Sequence, residues 1–302
     1  MKTFQGKTAV ITGAASGFGL ETARLCAARG MNIVMADVQQ ESLDKAAAEI
    51  EALGAKVLPF RLDVSKADQV EAMGRATFER FGAPHFVFNN AGISSGGLIW
   101  EHTLKDWEWI VGVNLMGVAH GIRVFTPMML EAAKKDPTYE GHITNTASMA
   151  GMVNMPNMGS YNVTKNAVVA MSETLFQDLS LVTDQIHCSV LCPFYVPTGI
   201  IHSERLRPAE MGGADVKPTR SQLVAKALGE KAVASGKLTA ANIAQMVVDA
   251  VANGTFYVFS HPHALGAVQT RLEDIMLGRN PSDPFKERPQ IGQQLREAMR
   301  DA

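Results

Sequence analysis

The 302 residues are 46% hydrophobic and 19% charged, which permits a large packed core and excludes a globally disordered chain. Lysine plus arginine (28) nearly balance aspartate plus glutamate (30) for a net charge of −2, and no basic block stands out, so nucleic acid is not an expected partner. No window approaches about 18 consecutive apolar residues, the length that suggests a membrane span. The segment 1–7 lacks the apolar stretch and small-residue site of a secretory signal. Cys26, Cys188 and Cys192 offer neither a paired disulfide framework nor zinc spacing and read as buried small hydrophobes. A cytoplasmic protein without metal or membrane is expected.

Taken in chain order, short runs rich in Val, Ile, Phe or Thr predict strands at 8–12, 32–36, 56–61, 86–89, 142–146 and 186–191. Most are apolar nearly throughout, as strands buried on both faces should be. Helical patterns at 19–29 and 41–53 separate the first of them; in the second, Leu43, Ala46, Ala47 and Ile50 form one stripe. Ser65 with Asp68 three residues later suggests a capped helix start. This alternation is that of stacked βαβ units with a parallel sheet. After 195 the pattern loosens until about 240, a last strand is expected at 255–260, then a short helix at about 264–277 and a tail with Pro281, Pro284 and Pro289.

The first strand ends in Thr12-Gly13-Ala14-Ala15-Ser16-Gly17-Phe18-Gly19 and leads into a helix. Glycines there permit the tight turn, the approach of backbone N–H groups to a pyrophosphate, and close helix–strand packing, while the helix N-terminus stabilises negative charge. The spacing Gly-x3-Gly-x-Gly after Thr resembles that of the short-chain dehydrogenases/reductases. Asp37, about twenty residues after the glycines, stands where an acidic side chain holds the adenosine ribose. Its charge opposes a 2′-phosphate, and neither Ser16 nor Val38 supplies a cation, so NAD is favoured over NADP. Asp63-Val64 resembles the family's adenine-contacting pair, and Asn89-Asn90-Ala91-Gly92 matches its Asn-Asn-Ala-Gly motif. There Asn89 would order the central sheet and Gly92 would leave room beside the cofactor.

Ser148 follows the fifth strand, with Tyr161 thirteen residues on and Lys165 four later, so that Tyr161 and Lys165 share one helical face. A cation about 4 Å from a phenol, at an effective dielectric near 20, is worth about 4 kcal/mol, roughly three pKa units towards neutrality. The family resemblance implies that Tyr161 exchanges the substrate proton and Lys165 holds the nicotinamide ribose. It also implies that Ser148 bonds the substrate oxygen and that Asn114 anchors a water in the relay. After the sixth strand the family usually has Pro-Gly; this chain has Pro193-Phe194-Tyr195-Val196-Pro197-Thr198, with Val196 and Thr198 at the positions that contact the carboxamide. Phe194 is therefore expected to narrow the substrate pocket. Met149, Met152, Met155 and Met158 recur every third residue and suggest either an adaptable apolar wall or core filling. His202 is placed facing the pocket. Trp100, Trp107 and Trp109 read as core or interface residues, and Arg205 and Arg207 as substrate-loop charges.

The resemblance covers about 7–198 and implies an α/β architecture: a Rossmann-type doubly wound parallel sheet forming a single domain over 1–302. The substrate lid would be 196–240 and a C-terminal extension 261–302. It implies an NAD(H)-dependent oxidoreductase acting on a small-molecule secondary alcohol or ketone, assembled as a homodimer or homotetramer. The run 203–209 is also similar to one in bacterial dehydrogenases that oxidise the benzylic hydroxyl of lignin-derived aryl ethers. A 3-oxoacyl reductase and a catalytically idle NAD-binding scaffold are the alternatives.

Overall fold

The strand runs are apolar on both faces because helices cover both sides of the sheet they form. The computed structural model describes residues 1–212 and 217–300. Strands β1 (Thr8–Thr12), β2 (Asn32–Asp37), β3 (Val57–Arg61), β4 (Phe86–Asn89), β5 (Gly141–Thr146), β6 (Ile186–Cys192) and β7 (Tyr257–Phe259) form one sheet in the order β3-β2-β1-β4-β5-β6-β7. Every pairing is parallel. Each strand lies within two residues of its expected place, and the doubly wound α/β architecture is as the sequence implied.

Alternation along each strand divides the core in two. Ala9, Ile11, Ile33, Met35, Phe86 and Phe88 pack beneath α1 (Gly17–Ala28), α2 (Gln40–Ala52) and α8 (Ala240–Asn253). Val10, Val34, Val87, Ile143 and Cys188 face α3 (Ala67–Phe81), α5 (Gly117–Lys135) and α6 (Gly159–Val182). All three cysteines are free and buried. A polar chain runs through this interior. Asn89 Nδ2 donates to Asn145 Oδ1 (2.9 Å), Asn145 Nδ2 donates to Ser172 Oγ (3.0 Å), and Asn89 and Asn145 are register partners on β4 and β5. The expected ordering role of Asn89 has this physical form.

Three local readings are corrected. Ser65 does not cap α3; its N–H instead donates to Asp63 Oδ1, and Lys66 precedes the helix without a side-chain cap. The proline-containing tail is not wholly irregular, because beyond α9 (Leu265–Met276) a further helix, α10 (Pro289–Arg300), starts on a proline whose missing N–H costs nothing in a first turn. It packs on α7 (Arg220–Ala234), with Arg220 Nε donating to the Ala298 carbonyl (2.7 Å). The described part of the loose segment 196–240 is largely helical: two 3-10 stretches, Gly199–Leu206 and Ala209–Met211, then α7. Gly213 and the last two residues of the extension lie outside the described residues.

The chain from α4 (Leu104–Ile110) through α5 is one helical run of 32 residues, long and apolar enough by composition to cross a membrane. Val124, Phe125 and Met129 pack instead against the sheet, and polar Asn114 is buried within the run. The segment Val111–Met116 in its first half is a π-helical turn.

Candidate active site

The switch from β1 to β4 opens a crevice at the C-terminal ends of both strands, the usual ligand position in such sheets. Gly13 and Gly17 adopt positive φ (64° and 54°), which favours glycine. A Cβ on Gly19 would lie 2.2 Å from the Gly13 carbonyl oxygen, so only glycine lets the helix come this close to the loop. Thr12 Oγ1 accepts from the N–H groups of Asn90 (2.9 Å) and Ala91 (3.0 Å), and Asn90 Nδ2 donates to the Thr12 carbonyl (3.0 Å), fixing the loop against the end of β4. Ser16 makes no side-chain cap on α1, so its first-turn N–H groups stay available to an anion. Ser16, Gly17, Phe18, Asp37, Asp63, Val64, Asn90, Ala91 and Gly92 all line this crevice. Asp37 is buried at the tip of β2, with Oδ2 accepting from Ala15 N (3.1 Å) and Oδ1 from Gln39 N (3.0 Å). These residues fit a dinucleotide: a bare glycine turn, an uncapped helix start and a carboxylate beyond.

Tyr161 and Lys165, on the first turns of α6, line the other end of the crevice. Lys165 is 2% exposed; its Nζ donates to the Thr146 carbonyl (2.8 Å) and lies 5.7 Å from the centre of the Tyr161 ring. Ser148 begins the turn after β5, where its hydroxyl accepts from Ala150 N (3.1 Å). The expected lowering of the phenol does not occur in this site. Burial pushes Tyr161 up to about 12, opposed by a hydrogen bond with Ser148 and aided by nearby Tyr195. Burial also brings Lys165 down to about 8. Desolvation dominates both shifts because both groups are enclosed.

Asn114 projects from the π turn and is fully buried. Its Oδ1 accepts from Ile93 N (2.8 Å), and its Nδ2 donates to Ile93 O (3.0 Å) and Thr164 Oγ1 (3.3 Å), joining the loop after β4 to α6. Gly92 faces this junction; a Cβ there would come 3.3 Å from Asn114 Oδ1 and 3.5 Å from Lys165 Nζ.

The expected substrate-facing residues fare differently. Pro193 and Thr198 line the crevice, whereas the Val196 side chain packs into the core with Ala14 and Ala15. Phe194 does not narrow the pocket. Its N–H is held by Ser260 Oγ (2.9 Å), which turns the ring outward onto Tyr195 and His261, at centroid distances of 4.5 and 5.8 Å. His202 is exposed outside the crevice lining, 3.8 Å from Glu230 on α7. Met149 packs in the core with Ala147, Val168 and Val190, and Met155 is half-buried outside the crevice lining. Their three-residue spacing spans a 3-10 turn and an irregular loop, so it gives them no common face. The apolar lining comes instead from Ile93, Trp109, Val113, Ile200, Leu206 and Pro208. Arg207 is no solvated charge: it is buried 2.6 Å from Asp106 and 5.2 Å from the centre of the Trp109 ring.

Known proteins share this arrangement. Residues 7–208 match the short chain dehydrogenase family. The chain is 34% identical to a CLA biosynthesis dehydrogenase/reductase of Lactiplantibacillus plantarum over 283 residues, covering 93% of this chain and 97% of that protein. It is 31% identical to a C alpha-dehydrogenase of Sphingobium over 301 residues, covering 96% and 93%. A short-chain dehydrogenase/reductase from Burkholderia phymatum, solved in complex with NAD, superposes with a TM-score of 0.90 at 48% identity, covering 94% of this chain and 99% of that one. With the glycine turn, Asn90, Ala91 and Gly92, and Tyr161 and Lys165 lining one crevice, and with Ser148 beside Tyr161, the chain belongs to the short-chain dehydrogenase family of oxidoreductases.

Proposed function

We propose that the protein interconverts a secondary alcohol and a ketone with NAD(H), preferring a bulky hydrophobic or aromatic substrate. The carrying observation is that Tyr161, with its hydroxyl beside Ser148 and its ring centre 5.7 Å from Lys165 Nζ, shares a crevice with the glycine turn. NAD is supported by Asp37 at the β2 tip and by the similar Burkholderia phymatum protein solved with NAD. Gly13, Ser16, Gly17, Phe18 and Gly19 would hold its pyrophosphate, and Asp37 the adenosine ribose. Asp63 and Val64 would meet the adenine, while Asn90, Ala91, Gly92, Pro193 and Thr198, with Lys165, would serve the nicotinamide half and core-packed Val196 would contribute at most its backbone. The bound nicotinamide supplies the hydride acceptor or donor.

The protein's own work is on the proton. Tyr161 takes it from the alcohol or returns it to the carbonyl oxygen, Ser148 donates a hydrogen bond to that oxygen, and Lys165 stabilises the phenolate. Asn114 holds the loop and α6 in register and anchors the proton path. A phenol pushed up to about 12 is protonated at neutral pH, poised to donate to a ketone; alcohol oxidation gains as pH rises. We assign 196–240 as the substrate lid, since Ile200, Leu206 and Pro208 bring apolar surface over the crevice. The apolar side chains Val163, Phe176, Leu181 and Val182, exposed along α6, support a homodimer or homotetramer; the free cysteines are consistent with a cytoplasmic setting.

The test compares 1-phenylethanol with 2-propanol at fixed NAD in the parent and in Tyr161→Phe. Burying about 100 Å² more apolar surface is worth about 2.5 kcal/mol, part of it consumed by lid ordering, leaving about a tenfold to thirtyfold higher kcat/KM for the aryl alcohol. Tyr161→Phe should lower turnover at least about 100-fold and leave NAD binding intact. Equal efficiency for the two alcohols removes the apolar pocket; near-normal turnover in the variant removes the assigned mechanism.

A further inference from the structure

Among the described residues, Arg205 is the one charged group of the crevice that the proposed chemistry leaves unused. The charged side chains in the described lining are Asp37, Asp63, Lys165 and Arg205. Lys165 is buried and committed to the Thr146 carbonyl, whereas Arg205 is exposed on the Gly199–Leu206 stretch. Its Nη1 donates to the carbonyls of Gly199 (3.1 Å) and His202 (2.7 Å), which fixes the guanidinium plane. Among the described residues its Nε and Nη2 have no hydrogen-bond partner, so one edge of a two-pronged donor is left open.

Position gives that open edge its meaning. A Cβ on Gly199 would lie 3.4 Å from Arg205 Nη2, and one on Gly17 would lie 3.7 Å from Thr198 Cγ2. The guanidinium thus adjoins Gly199, and Gly199's neighbour Thr198 abuts the start of α1. An anion at that start meets uncapped N–H groups equivalent to only about half a charge. A dinucleotide's diphosphate carries two charges, and a planar guanidinium matches phosphate oxygens in pairs.

We propose that Arg205 is a latch that pairs with the diphosphate of the dinucleotide, so that cofactor binding fixes Gly199–Leu206 over the crevice. Pairing holds Ile200 and Leu206 against the apolar wall, and the substrate site becomes rigid only once the cofactor is seated. Arg205 is a positioning residue here, and the proposal rests on the NAD reading above.

Calorimetric titration of the parent, Arg205→Gln and Arg205→Lys with ADP-ribose and with adenosine tests it. The expected result is about tenfold or more weaker ADP-ribose binding in Arg205→Gln, the scale of a lost charge-assisted pair, with an intermediate value for Arg205→Lys and adenosine unaffected. The slope of ADP-ribose affinity against salt should also flatten in Arg205→Gln. Hydrogen exchange should show ADP-ribose protecting 199–206 in the parent but not in Arg205→Gln. Unchanged ADP-ribose affinity in Arg205→Gln, or an equal loss for adenosine, overturns the latch. Failure of the parent itself to bind ADP-ribose overturns the dinucleotide reading with it.

Discussion

Asp37 carries two duties on one carboxylate, and separating them tests its role. Its oxygens accept from Ala15 N in the glycine turn and from Gln39 N, so the group that would hold a ribose also braces the loop that would hold the phosphates. Asp37→Asn keeps an acceptor and removes the charge; Asp37→Ala removes both. Discrimination against NADP should relax in both variants, while NAD affinity should fall further in Asp37→Ala, as fluorescence titration with the two cofactors would read. A cofactor preference unmoved in Asp37→Asn contradicts the charge argument. The position of Asp37 was legible because it is tied to a strand end at fixed distance from the glycines. The ionisation of Tyr161 was not, since a helical spacing of four says nothing of how deeply both side chains are enclosed.

Among the elements, the described part of the segment 196–240 departs most from its sequence pattern. Arg207, in a run that reads as polar loop, is 4% exposed beside Asp106, which is itself 7% exposed and held by Thr103 in the cap of α4. That contact joins positions about a hundred residues apart, and no local pattern encodes it. The π turn was equally invisible, because its widened backbone ring has no side-chain signature, although such turns concentrate at functional sites. Regular strands were legible for the opposite reason: burial on both faces writes itself into consecutive residues. Breaking a buried ion pair by removing one partner costs about 3–5 kcal/mol. Arg207→Met, which keeps an apolar stem over Trp109, should cost less than that range, because Asp106 retains the N–H and hydroxyl donors of Thr103. The loss should appear first as local opening: faster hydrogen exchange across 199–212 and a higher KM for the alcohol. Adding Asp106→Asn should restore part of the protection; unchanged exchange in Arg207→Met would show that this pair does not hold the segment.

For the molecule as a whole, buried Lys165 is a stability liability with a defined pH signature. Burial lowers Lys165 from 10.5 to about 8, so the unfolded chain binds its proton more tightly than the folded one. Stability therefore rises with pH between about 8 and 10.5, where the folded form has already released the proton. Below that window the full penalty applies, up to about 3 kcal/mol for a proton affinity weakened this far. Lys165→Met should accordingly be more stable than the cofactor-free parent at pH 7, with the advantage shrinking as pH approaches 10. Denaturant midpoints measured across that range would show it, and a pH-independent difference would contradict it. The architecture was legible from alternating apolar runs. The trade between stability and chemistry at Lys165 emerged only when the depth of the site was known.

The Asn89–Asn145 pair carries a consequence for how the chain assembles. Because β4 and β5 are buried on both faces, exposure to water says little about their alignment. The two amides do register a slip. Neighbouring side chains alternate faces, so a one-residue shift would put them on opposite sides of the sheet, each abandoned in an apolar interior at about 1–3 kcal/mol. The pair works as a checksum between β4 and β5, rejecting misaligned sheets during assembly while adding little to the strength of the finished one.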